Sequence, residues 1–174
     1  MKTQIKAFAL GVAFQSLAAP SGFAQEAGKN IAFLTPTQTY VSCVRGGVLG
    51  TKGKSVTEME TFKLVDANGG ELADGDVVKI YTTAGSREGN VSFWSEKADG
   101  SISRIRTEDT SVAFTVRKKD GGIILMTASG KFVSNTGSAL ATTDQESGAV
   151  IFKVVSAPEA PAVPTAPAKE TPGE

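Results

Sequence analysis

The stretch GKFVSNTGSALAT, Gly130 to Thr142, echoes TYVSCVRGGVLGT, Thr39 to Thr51. Both pass from an aromatic-Val-Ser start through a glycine turn to a Leu-x-Thr finish. The echo extends outward. The first unit runs IAFLT, TYVSCV, VLGT and closes with ETFKLV, and the last runs IILMT, KFVSN, ALAT and closes with VIFKVV. Tyr40 lies 22 residues before Phe62, and Phe132 lies 20 before Phe152. Leu49 stands 13 residues before Phe62, and Leu140 stands 12 before Phe152. A weaker middle copy begins VVKIYTT, passes through VSFWS and SISRI, and closes with AFTVR. There Phe93 precedes Phe114 by 21 residues and Ile102 precedes it by 12. The middle copy departs from the others in a longer loop, AGSREGN (84–90). Such repetition restricts the fold severely: one short unit cannot bury its own apolar face and must share a core with its copies.

The units are built of strands. Runs rich in Val, Ile, Thr and Phe are cut by turn clusters such as RGG (45–47), DANGG (66–70), ADG (98–100), KKDGG (118–122) and TGS (136–138). No apolar 3.6-residue period is sustained, so the expectation is all-β. Three copies of four strands can close a barrel of six, with the middle two strands of each copy forming a capping hairpin. That is a β-trefoil, and closure removes sticky edges. It places Phe62, Phe114 and Phe152 in one core layer with Leu49, Ile102 and Leu140 beneath. It puts Tyr40, Phe93 and Phe132 at the hairpins, where they are expected to pack as core. Cys43 falls in an alternating apolar run and is expected to be a small buried hydrophobe.

The order strand, Gly-Lys-aromatic-Val, glycine turn, Leu-x-Thr, acidic stretch, Phe-Lys-Val resembles the repeats of fascin-like (actin-crosslinking-like) β-trefoils. GKFVSNTGSALATTDQESGAVIFKVV (130–155) carries it best, and residues 39–70 come next. The resemblance implies the trefoil fold over the whole domain. It implies no functional residue, because the motifs specify a fold pattern and no actin-binding motif is present to match.

The ends differ from the middle. Residues 1–24 carry Lys2 and Lys6, no acid, an apolar stretch from Ala7 to Ala19, and small residues before Gln25. This three-part layout is expected to be a cleaved secretory signal, its apolar run being too short to span a bilayer. Residues 25–29 are then a short linker and residues 30–156 the domain. From 157 to 174 the chain reads APEAPAVPTAPAKETPGE, with five of the seven prolines. That composition is expected to stay disordered, as a tether or as a plain solvated tail. The mature protein is expected to be secreted or periplasmic, monomeric, and without a transmembrane segment.

Composition narrows the chemistry. Without the signal, 16 basic face 18 acidic residues, a net charge of −2. This disfavours nucleic acid as a partner. There is no histidine and one cysteine. An intrachain disulfide is therefore impossible, and the commonest general base and metal ligand are missing. No cofactor or metal is expected, and no enzymatic activity. DANGGELADGD (66–76) is expected to be a turn between copies, with adventitious calcium as the alternative reading. Paired carboxylates, for instance Glu58 with Glu60, could in principle run a carboxylate-only glycosidase, and that pair is expected in a solvated connection.

A binding module for a carbohydrate or protein ligand remains as the principal expectation. A structural protein of the envelope or matrix is the alternative, and actin binding rests on the family resemblance alone. The candidate site is where the copies disagree: Trp94, Glu96, Arg104 and Arg106, with Arg87 from the long loop. Neighbouring strand residues face opposite ways. Either Phe93 points inward and Trp94 is an exposed indole for a sugar or protein contact, or Trp94 covers the barrel.

Overall fold

The computed structural model describes residues 29–84, 90–106 and 112–158. The expected signal (1–24), nearly all of the linker and most of the tail lie outside them, as does Arg87. The β-branched and aromatic runs form strands that suit a pleated, half-buried surface. The strands are β1 (Asn30–Leu34), β2 (Tyr40–Cys43), β3 (Leu49–Gly53), β4 (Phe62–Asp66), β5 (Val77–Thr82) and β6 (Ser92–Glu96). They continue with β7 (Ile102–Ile105), β8 (Ala113–Lys119), β9 (Gly122–Thr127), β10 (Phe132–Asn135), β11 (Leu140–Thr143) and β12 (Lys153–Ser156). Every described pairing between them is antiparallel, so the protein is all-β.

Pairing proceeds from β1 to β4, β5, β8 and β9. An isolated bridge from Ile123 to Phe152 ties β9 to the segment entering β12, and β12 pairs back onto β1. The remaining strands form the hairpins β2–β3, β6–β7 and β10–β11. These three lock together through main-chain bonds. The Arg104 N–H donates to the Gly47 carbonyl at 2.7 Å, the Thr51 N–H to Ser138 at 3.2 Å, and the Thr142 N–H to Gly100 at 2.8 Å. Each hairpin thus donates to one neighbour and accepts from the other.

The core lies inside these pairings. Phe62, Phe114 and Phe152 are fully buried, as are Leu49, Ile102 and Leu140. Phe33 stands among the aromatics, with ring centroids 6.0 Å from Phe62, 5.4 Å from Phe152 and 4.9 Å from Trp94. The rings meet tilted or edge-on, which suits their quadrupoles. Cys43 is buried and free, as its alternating run indicates.

Two expectations need correction. Tyr40, Phe93 and Phe132 are only half-buried, and the next residue in each hairpin, Val41, Trp94 and Val133, is the fully buried one. The strand alternation therefore runs one residue out of step with the expected inward set. Glu60, expected in a solvated connection, is also buried. Its carboxylate accepts from the main-chain N–H and the hydroxyl of Thr57, closing a capping box on the 3-10 turn Glu58–Glu60. Glu58 stays exposed.

Candidate functional site

The proposed site residues do not converge as the sequence led one to expect. Trp94 is withdrawn as a ligand contact. Its indole is fully buried, 5.1 Å from the Phe62 ring and 6.4 Å from the Phe114 ring between centroids. Phe93 faces the other way and pairs with Tyr81 at 5.7 Å. Glu96 is the last residue of β6, and its Oε2 accepts from the Ser129 hydroxyl at 2.7 Å. It therefore leans on the turn between β9 and β10.

Arg104 is the residue held most specifically. It stands across β6–β7 from Trp94. It stands two residues after Ile102, as Thr51 and Thr142 stand two after Leu49 and Leu140, and each of the three donates the inter-hairpin N–H bond. Those threonines reach to neighbouring hairpins, Thr51 to Asn135 Oδ1 at 3.0 Å and Thr142 to the Gly100 carbonyl at 3.2 Å. Arg104 reaches further. Its Nη1 donates to the Ala84 carbonyl at 2.7 Å and its Nη2 to the Val44 carbonyl at 3.3 Å. With its own N–H on Gly47, it grips both flanks of the β2–β3 turn, and Arg45 projects from the middle of that turn. Arg45 and Arg106 are both exposed. The ion pair found among the described residues is elsewhere, Lys119 with Glu146 at 2.9 Å. Sequence reasoning missed Arg45, because RGG reads simply as a turn; the clue is Arg104 in a threonine position, which pulls that turn against β7.

The same hairpin concentrates unmet hydrogen bonds. Among the described residues, Trp94 Nε1, Ser103 Oγ and Arg104 Nε are buried without a protein partner, and Asp66 Oδ2 joins them from another region. Cys43 lies near enough to Arg104 to feel its charge, yet burial dominates and pushes the thiol up to about 11. It is not a nucleophile near neutral pH.

The acidic loop 66–76 engages the carboxylates of Asp66, Asp74 and Asp76 in hydrogen bonds, within the loop and to β8. Asp76 accepts from the Ala73 N–H and from Asn68 Nδ2, Asp66 Oδ1 accepts from the Asn68 N–H, and Asp74 accepts from the Lys118 N–H. The bond from Ala73, then that from Asn68, holds the Asp76 carboxyl below the usual range. Among the described residues no group of three or more His, Cys, Asp or Glu side chains is arranged to hold a metal ion. Beside this loop lie two shallow concavities of about 540 and 500 Å³ that share Leu72 and Val154 in their walls. Among the described residues, no helix is long and apolar enough to cross a membrane.

No family model matches the chain, and no curated protein sequence does. Solved structures do match. One, titled as a Caenorhabditis elegans protein with unknown function from structural genomics, aligns with a TM-score of 0.56 at 12% identity. The match covers 77% of this chain and 99% of that one. At that identity it bears on fold alone.

Proposed function

We propose that the chain is an exported, non-catalytic binding module on a fascin-like β-trefoil scaffold, and that it engages a carbohydrate or protein ligand at the β6–β7 hairpin. The cyclic bonding of three hairpins and the equivalent burial of Phe62, Phe114 and Phe152 support the trefoil. The layout of residues 1–24 supports export. The observation that carries the binding assignment is Arg104. A repeat that uses threonine twice at this position carries an anchored guanidinium in its third instance, with two exposed arginines beside it. Function resides in sites grafted on a scaffold, and the fixed charge that breaks the repeat supports placing the site here.

The test is a screen of the full chain against a glycan array and a panel of envelope and matrix proteins. Saturable binding that weakens in Arg104→Thr, which restores the repeat, is the expected result. Binding indifferent to Arg104→Thr moves the site elsewhere, and absence of any binding removes the module assignment.

A further inference from the structure

We propose that the surface formed by Arg45, Arg104 and Arg106 is a site for an anionic polysaccharide, bound through carboxylate or sulfate groups. This rests on the binding-module assignment and names its ligand class. The β2–β3 turn and β7 meet here through the Arg104 N–H bond to Gly47, the Nη2 bond to Val44 and the Val48–Ser103 bridge. That contact sets Arg45 beside the strand that carries Arg104, and Arg106 follows two residues on. Among the described residues none of the three arginines has a carboxylate partner. Two neutral carbonyls hold the Arg104 guanidinium in place, and neither cancels its charge.

Beneath this surface the imbalance continues. Among the described residues Trp94 Nε1, Ser103 Oγ and Arg104 Nε are buried without a partner, Trp94 and Arg104 facing each other across the hairpin. The three arginines are positively charged, and Arg45 and Arg106 are exposed, which makes the potential at this surface positive. The complementary ligand is rich in acceptors and negatively charged. The planar fork of arginine suits carboxylate and sulfate oxygens.

The surface favours a sugar polymer over a protein. Protein contacts centre on large aromatic anchors. Here the tryptophan is buried, and the exposed apolar residues on this turn are Val44 and Val48, at 44% and 43% exposure. Discrimination is left to charge, and a repeating polyanion supplies charge at many points.

The experiment titrates the full chain with alginate, with dextran sulfate and with uncharged dextran by calorimetry at two salt concentrations. Two double variants accompany it, Arg45→Gln/Arg106→Gln and Lys118→Gln/Lys153→Gln. The second removes the same charge from exposed positions on β8 and β12. Neither Arg45 nor Arg106 holds the fold, so melting temperatures should match the parent. The expected result is saturable binding of at least one polyanion and none of dextran, weakening as salt rises. Affinity should fall roughly tenfold or more in the arginine variant and little in the lysine variant, a tenfold loss being about 1.4 kcal/mol. Alginate and dextran sulfate separate carboxylate from sulfate recognition. Failure of both polyanions to bind overturns the proposal, as does an equal loss in the two variants, which marks diffuse attraction. If an uncharged glycan or a protein from the panel binds with full affinity to the arginine variant, the anion site falls while the module assignment stands. If no ligand of any class binds, both fall.

Discussion

At the residue scale, Trp94 and Cys43 matter most. Trp94 is a core residue that packs against Phe33, Phe62 and Phe114. Trp94→Ala should destabilise the protein by roughly 3–5 kcal/mol, as large core truncations do, and denaturant melts will measure it. As the only tryptophan, it should emit to the blue in the native state and shift red on unfolding. A melting temperature close to the parent's would mean that the indole is not core. Cys43 has a folded pKa of about 11 against an ordinary value of 9.0, chiefly through burial. The sign follows from which state ionises first. Below pH 9 both folded and unfolded thiols are neutral. Between 9 and 11 the unfolded thiol loses its proton first, so stability falls as pH rises through that window. Cys43→Ala should flatten this alkaline loss, and the native thiol should resist thiol reagents at pH 8 until the chain is denatured. The burial of Cys43 was legible from its alternating run. The direction of Trp94 was not settled by its own strand, because Phe and Trp are both apolar and alternation cannot choose between them. Comparing copies settles it: Tyr40-Val41, Phe93-Trp94 and Phe132-Val133 place Trp94 where the others carry an inward valine.

At the scale of elements, strand positions were well marked, because Gly, Asn and Asp clusters bound each apolar run. KKDGG is a clear case. Asp120 and Gly121 take φ of 48° and 75°, the left-handed pair that a two-residue hairpin between Lys119 and Gly122 requires. Gly122 then has a second duty. A Cβ there would sit 2.5 Å from the Phe152 carbonyl oxygen, which accepts from the Ile123 N–H at 2.9 Å. Gly122→Ala should force the two segments apart and cost about 1–3 kcal/mol, in the manner of overpacked sites. Loss of exchange protection at the Ile123 and Phe152 amides would locate the damage, and unchanged protection would refute it. Such close approaches between distant segments leave no trace in a single sequence. The same limit hid Arg45, whose importance comes from a turn pressed on β7. Glu60 was misplaced for a related reason: a capping carboxylate and a solvated one look alike until the chain folds over it. The 66–76 loop was correctly taken as a turn, since Asp and Asn side chains bond to nearby main-chain N–H groups. Asp76, with its pKa lowered, stabilises above the ordinary carboxylate range and loses that contribution as pH falls through its folded value. Asp76→Ala should lower the melting temperature at pH 7 more than at pH 3.

At the scale of the whole molecule, the all-β class was legible from composition and punctuation. The candidate site was legible only as a region, the middle copy, where repetition breaks down. One feature of the fold reaches further. β12 pairs with β1, and the Ala157 N–H donates to the Asn30 carbonyl at 2.9 Å. The two ends of the domain therefore lie side by side, and the hairpin bonds run in a cycle with no first member. Where translation starts is then incidental to the architecture. A circularly permuted gene that joins Ala157 to Asn30 through a short linker, and opens at the exposed Gly69–Gly70 pair, should yield the same fold with a similar melting temperature. Each hairpin would keep its two neighbours, although every one had changed its place in the order of synthesis.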